Sequence, residues 1–293
     1  MGTKRFLISV FFVAIVAMPS MAQDNILNDD DVSSFGLWSS LGVEKNITKK
    51  WGVELEGEFR TADALNEVAR YSVGISTDYK ICSWLKADVG YILIAEPQKR
   101  IEEFEFKEAI PIDEDDLYSE IDYTKYEYKI EPEYTRIRHR ANVSLTGSVK
   151  FGRFKLSLRE RWQYTYRPEK SIDKLEYDIR YLNSMEWYQN EYLWQVESLD
   201  PQVKKKTIKS KHSHVVRSRL QVEYDIKGVP FEPYASIETY NDFKLRKVRY
   251  TIGGDYKISK KHSIGLYYRY QDFCGDDEGE STHIIGLGYK LKF

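Results

Sequence analysis

No apolar run in this sequence reaches the roughly 18 residues that a membrane-spanning helix requires; the longest candidate lies within Phe6 to Met18, so a helical membrane protein is excluded. Cysteine is nearly absent. Cys82 and Cys274 are too few for a disulfide framework, and the five histidines (His139, His212, His214, His262, His283) stand at no zinc-ligand spacing. Neither a metal nor a cofactor is expected. A surplus of positive charge is missing as well, since 44 Lys and Arg stand against 46 Asp and Glu, and without a basic footprint a nucleic-acid partner is not expected. What the chain does have is aromatic: 23 Tyr, 13 Phe and 6 Trp amount to 14%, far from the composition of a disordered chain. Its average hydropathy resembles that of a soluble protein, yet a β-barrel averages out the same way because lipid-facing and lumen-facing residues alternate.

Lys4 and Arg5, the apolar stretch Phe6 to Met18 and the small residues of Ser20-Met21-Ala22 are the three parts of a secretory signal peptide, with cleavage expected after Ala22. No cysteine follows that site, so a lipoprotein is not expected. About 271 residues remain, with 42 basic and 46 acidic side chains, and residues 23–293 are expected to form a single barrel domain.

After Ser33 the ruling signal has period two. Apolar residues alternate in Phe35, Leu37, Leu41 and Val43, and again in Trp51, Val53, Leu55 and Phe59 with Glu54, Glu56, Glu58 and Arg60 opposite. The pattern returns in Tyr71 to Tyr79, Leu85 to Leu93, Ala141 to Val149, Phe154 to Tyr166, Val216 to Tyr224, Ala235 to Ile237, Val248 to Ile258, Ile264 to Tyr270 and Ile285 to Phe293. Each segment has room for the roughly 9–11 residues of a tilted membrane strand. Short connections near 46–50, 80–83, 150–153, 226–230 and 259–262 alternate with a set that includes the long, polar intervals 96–133 and 168–211. Short periplasmic turns and longer extracellular loops give that asymmetry, and aromatics at strand ends (Trp51, Trp84, Trp162, Tyr164, Tyr166, Tyr256, Tyr270) suit a membrane girdle better than a soluble β-sandwich.

The expected fold is therefore all-β, a transmembrane antiparallel up-and-down barrel of about twelve strands. Eleven are visible. A fully antiparallel ring needs an even number, so either a twelfth strand lies near Asp24 to Ser33 or the N-terminal segment threads the lumen. Glu160 falls on the lipid face in this register, where a charge is costly unless a local bulge turns it inward.

The terminal segment His283-Ile-Ile-Gly-Leu-Gly-Tyr-Lys-Leu-Lys-Phe293 resembles the signal by which outer-membrane barrels are recognised for assembly, with Phe293, Leu291 and Tyr289 as its determinants. Leu37-Trp38 with Val43-Glu44-Lys45, the Trp51 to Arg60 strand, Arg138-His139-Arg140, Gly152-Arg153-Phe154 and Arg249-Tyr250-Thr251-Ile252-Gly253 add to it. Together they resemble the uncharacterised outer-membrane barrel family called domain of unknown function 2490. That resemblance implies a protein of the Gram-negative outer membrane with no established activity. Its implied partners are outer-membrane lipid and, during biogenesis, periplasmic chaperones and the barrel assembly machinery.

Candidate functional residues lie on inward positions: Arg136, Arg138, Arg140, Arg159, Arg161, Arg167, Arg217 and Arg219 on three neighbouring strands, with Glu54, Glu56 and Glu58 across the barrel and Glu232 and Glu238 on another strand. Opposed walls would set a transverse field in a narrow pore; if they meet, salt bridges fill the lumen and leave a scaffold or surface barrel. No catalytic residues are expected. The enzyme alternative, a lipid-modifying hydrolase, would use Asp272, His283 and Ser33 at the rim. The interval Glu102 to Glu133 holds 13 acidic residues against three lysines, and reads as a solvated acidic loop, partly extended as a hairpin, more than as a divalent-cation site. The two long loops are the surface left for an unidentified partner.

Overall fold

A computed structural model describes residues 34–62, 65–110, 123–182, 187–188, 191–192, 195–198, 202–274 and 281–293. The expected leader with its expected cleavage after Ala22, the region proposed for a twelfth strand, Ser33 and the run Asp113 to Asp116 lie outside them.

Alternating apolar and polar side chains favour extended backbone when one face meets lipid and the other water, and the chain is built almost wholly of strands. These are β1 (Ser34–Asn46), β2 (Trp51–Ala62), β3 (Glu67–Lys80), β4 (Leu85–Gln98), β5 (Ile101–Ile110), β6 (Tyr123–Glu131), β7 (Tyr134–Phe151), β8 (Phe154–Arg167) and β9 (Lys170–Leu182). They continue as β10 (Trp187–Tyr188), β11 (Glu191–Tyr192), β12 (Gln195–Ser198), β13 (Gln202–Ile208), β14 (Lys211–Tyr224), β15 (Phe231–Asp242), β16 (Lys244–Lys257), β17 (His262–Phe273) and β18 (Thr282–Lys292).

Eleven of them close a barrel in the order β1, β18, β17, β16, β15, β14, β8, β7, β4, β3, β2, and these are the segments marked by period two in the sequence. Closure does not require a twelfth strand. Each step from β2 round to β18 is antiparallel, so the first and last of eleven strands run in the same direction, and β1 meets β18 as a parallel pair from Ser34↔Thr282 to Glu44↔Lys292. The wall is inside-out relative to a soluble core. Ile252 and Leu266 point outward at 63% and 57% exposure, while Asn142, Ser144, Gln163, Glu238, Arg249 and Gln271 are buried within.

Two glycines hold geometry that other residues would break. Gly152 has φ of 59° at the first of the two turn positions between β7 and β8, where a two-residue hairpin requires a positive value. At Gly286 a Cβ would lie 1.9 Å from Cζ of Tyr267, whose ring crosses from the neighbouring strand.

The intervals expected as long loops carry strands. Pro132 and Pro168, which cannot donate to a ladder, stand between β6 and β7 and between β8 and β9. Beyond those junctions β5, β6, β9 and β13 pair side by side, in the same order as β4, β7, β8 and β14 of the barrel from which they continue. β12 also pairs with β9 and extends this sheet.

Glu160 lies where the alternation puts it, and no bulge turns it inward. The β7–β8 and β8–β14 registers run through it without a bulge, so it stays on the outer face, where the Ser218 hydroxyl donates to it at 2.6 Å. Cys82 lies in the turn after β3 and Cys274 just after β17, at opposite ends of the barrel, both as free thiols.

Candidate functional site

The barrel encloses a cavity of about 1690 Å3 whose lining runs from Lys80 and Cys82 at the turn end to Lys211, Asp242 and Arg246 at the other. Glu54, Glu56, Glu58, Arg140, Arg159, Arg161, Arg217, Arg219 and Glu238 all line it. Arg136 and Arg138 share the strand face of Arg140 nearer the extension sheet, where Arg138 pairs with Glu96 and Arg136 bonds the Tyr134 hydroxyl. Arg167 continues the β8 face that carries Arg159 and Arg161.

Three carboxylates organise the positive charge. Glu238, 6% exposed on β15, accepts from Arg159 of β8 at 2.7 Å, from Arg217 of β14 at 3.0 Å and from the Tyr240 hydroxyl at 3.0 Å. Arg249 of β16 stands 3.9 Å from it, held by Gln271 at 2.7 Å and by a further bond to the Tyr240 hydroxyl. Glu238 therefore does not stand across from the arginines; its strand is adjacent to β14, and it joins four neighbouring strands through charge-assisted hydrogen bonds. Glu96, 7% exposed, takes Arg70 at 2.7 Å and Arg138 at 2.6 Å. Glu58 takes Arg60 at 2.6 Å, and the Arg60 guanidinium lies 3.5 Å from the Trp38 ring centre with Arg269 at 5.0 Å.

The remaining members are looser. Glu54 pairs with Lys290 at 2.6 Å, and Arg161 approaches Asp88 only to 3.6 Å. Glu232 pairs with Lys257 outside the cavity lining. Positive charge is thus not confined to one wall: Arg60 on β2, Arg70 on β3, Arg249 on β16 and Arg269 on β17 carry it round the ring. Arg249 and Arg269 share the inward alternation of their strands, whereas Glu96 opens the polar interval 96–133, whose composition reads as a loop.

Of the rim grouping, Ser33 lies outside the described residues. His283 stands opposite Tyr270, two residues before Asp272 on β17; its Nδ1 lies 2.6 Å from the Tyr268 hydroxyl and its ring packs against Tyr270. His212 likewise bonds Tyr164, at 2.6 Å, and His214 stacks on Trp162. No group of three or more metal-ligating side chains occurs among the described residues. Glu105 and Glu127 of the acidic interval instead meet Lys107 and Lys129 at 2.7–3.0 Å in an alternating quartet. Hydrogen bonds from Lys107 and Lys129 hold the Glu127 carboxyl down to about 2. At the C-terminus, Phe293 donates its backbone N–H to the Glu44 carbonyl at 2.8 Å, the Tyr289 hydroxyl meets His262, and Leu291 lies opposite both Val43 and His262.

Residues 35–278 match the family described as Protein of unknown function (DUF2490). The chain belongs to that family. No curated protein matches it. Among solved structures, the β-domain of the Bordetella autotransporter BrkA is similar with a TM-score of 0.44 at 11% identity, covering 80% of this chain and 79% of that one. The CymD monoaromatic hydrocarbon channel gives 0.33 at 8%, over 80% and 76%. The translocator domain of the autotransporter NalP from Neisseria meningitidis gives 0.26 at 9%, over 74% and 76%.

Proposed function

We propose that this protein is a narrow channel of the Gram-negative outer membrane that passes small hydrophilic solutes and favours anions. The observation that carries the reading is the charge of the lumen: sixteen Lys and Arg side chains line the cavity against seven carboxylates, although acidic residues outnumber basic ones in the whole chain. Low-dielectric walls focus such a field and concentrate counter-ions within it. A barrel of this size falls between filled eight-stranded barrels and open sixteen-stranded porins, which suits a restricted bore.

Single-channel recording of the purified protein in planar bilayers tests this. Under a salt gradient the reversal potential should report anion preference, and replacing Arg140, Arg159, Arg161 and Arg219 by glutamine should shift it toward cations. Selectivity that ignores those substitutions overturns the mechanism. The Glu238 cluster supports a second reading, a plugged scaffold barrel, because it ties four strands together inside the lumen; absence of conductance from folded protein would select it.

A further inference from the structure

Glu160 is a misfit in the outer wall. It stands near the middle of the 14-residue strand β8, with Leu145 opposite it on β7 and Ser218 opposite it on β14, and it is exposed on the face that meets lipid. Its other neighbours on that face include Leu158, Trp162, Val216 and Leu220, each 43–51% exposed. Among the described residues no other charged side chain occupies a central outward position of the eleven barrel strands. The carboxylate accepts a hydrogen bond from the Ser218 hydroxyl and meets no cation among the described residues. Two further features mark the same patch. Gly147 of β7 faces outward opposite Leu158, and a Cβ built there would meet nothing within 4 Å, so the row of side chains is interrupted beside Glu160. Trp162, two residues along, holds its ring against Tyr164 and His214, and its indole N–H has no acceptor among the described residues.

A carboxylate turned toward hydrocarbon is costly, because acyl chains supply no hydrogen bond, and an ionisable group at membrane depth marks contact with another molecule. We infer that the β7–β8–β14 face is where a second copy of this chain docks, in a dimer whose twofold axis runs along the membrane normal through this patch. The patch is its own complement. It carries an under-used acceptor at Glu160, an unused donor at Trp162, and a gap at Gly147 beside the Leu145 and Leu158 side chains. A twofold contact uses one surface twice, so each Glu160 takes the indole N–H of the partner subunit's Trp162 and each gap receives a leucine. The rise of two tilted strand residues, about 5 Å, is within reach of the two side chains. Docking takes the carboxylate out of lipid in both copies at once. The inference goes beyond the channel reading and holds for a conducting or a closed barrel alike.

The mass of the folded, full-length protein, measured by light scattering on a detergent size-exclusion column, tests it, with photobleaching step counts in phosphatidylethanolamine–phosphatidylglycerol vesicles as the measurement in lipid. A dimer is expected in both. Glu160→Leu and Gly147→Leu should each raise the dissociation constant about ten-fold, the first by removing a charge-assisted hydrogen bond and the second by filling the gap, while Glu160→Gln, which keeps an acceptor, should lose less. Heat-dependent gel mobility checks that each variant is folded. In a Cys82→Ser, Cys274→Ser background, oxidation should join copies that carry Leu158→Cys and leave apart those that carry Leu287→Cys, on the far side of the ring. A monomer in detergent and in vesicles, a dimer indifferent to both leucine variants, cross-linking through Leu287→Cys alone, or stoichiometric recovery of a different protein on this face overturns the inference.

Discussion

Glu238 is the residue on which most of the lumen's order depends. Its two oxygens serve Arg159, Arg217 and the Tyr240 hydroxyl, and Arg249 stands close by, so removing its charge leaves guanidinium groups crowded without a counter-charge. Breaking a buried pair from one side costs about 3–5 kcal/mol. Glu238→Gln is expected to lower the temperature at which the barrel loses its compact gel mobility, and an unchanged transition would show that the cluster is solvated and weak. Which carboxylate would play this part was not legible beforehand. Period two put Glu238 on an inward face, but its partners follow from β14 lying between β8 and β15 in the ring, and a 43-residue interval separates β8 from β14 in the chain.

Among the elements, the barrel strands and the extension sheet share the alternation. A barrel strand has lipid on one side and the lumen on the other, so its alternation is written in apolar and charged residues. In β5, β6 and β9 Phe104 and Phe106, Tyr126, Tyr128 and Ile130, and Leu175, Tyr177 and Ile179 alternate with charged residues too, but the density of acidic and polar residues in the intervals that hold them makes the sequences read as polar loops. What holds β5 to β6 side by side is in part the quartet of Glu105, Lys107, Glu127 and Lys129. Glu127 is lowered from 4.5 to about 2 in the folded chain, so its contribution is present above pH 4.5 and disappears as pH falls toward 2. Hydrogen exchange in β6, corrected for its intrinsic pH dependence, should rise across that window and should rise less in Glu127→Gln; added salt should blunt the difference because the quartet is exposed. In the barrel itself, Gly286→Val drives a branched side chain into the Tyr267 ring and should reduce the yield of folded barrel, with Tyr267→Ala in the same chain restoring it. If the second change restores nothing, the glycine matters for another reason.

For the whole molecule, eleven strands could be counted in the sequence while the way they close could not, since alternation gives a strand's faces and says nothing of its neighbour. The odd number has a physical solution in the parallel pairing of β1 with β18. Sidedness follows from the same count and is open to a direct test: a membrane-impermeant maleimide applied to intact cells should modify Cys274 and spare Cys82, while lysis without reductant should expose both, as free thiols at opposite ends require. Labelling of Cys82 on intact cells would invert the barrel.

The parallel seam also decides on which side the first barrel strand begins and the last one finishes. In a ring with an even count both ends leave on one side; here Ser34 opens β1 at the end that bears the extension sheet, and Phe293 follows β18 at the end of the short turns. A peptide grafted just ahead of Ser34 and another grafted after Phe293 are anchored on opposite faces of the membrane. A circular permutant joining the two would need a linker long enough to cross about 30 Å of hydrocarbon. Between Ser34 and Phe293 the fold has the connectivity of a thread drawn through a sheet of cloth that starts on one side and finishes on the other.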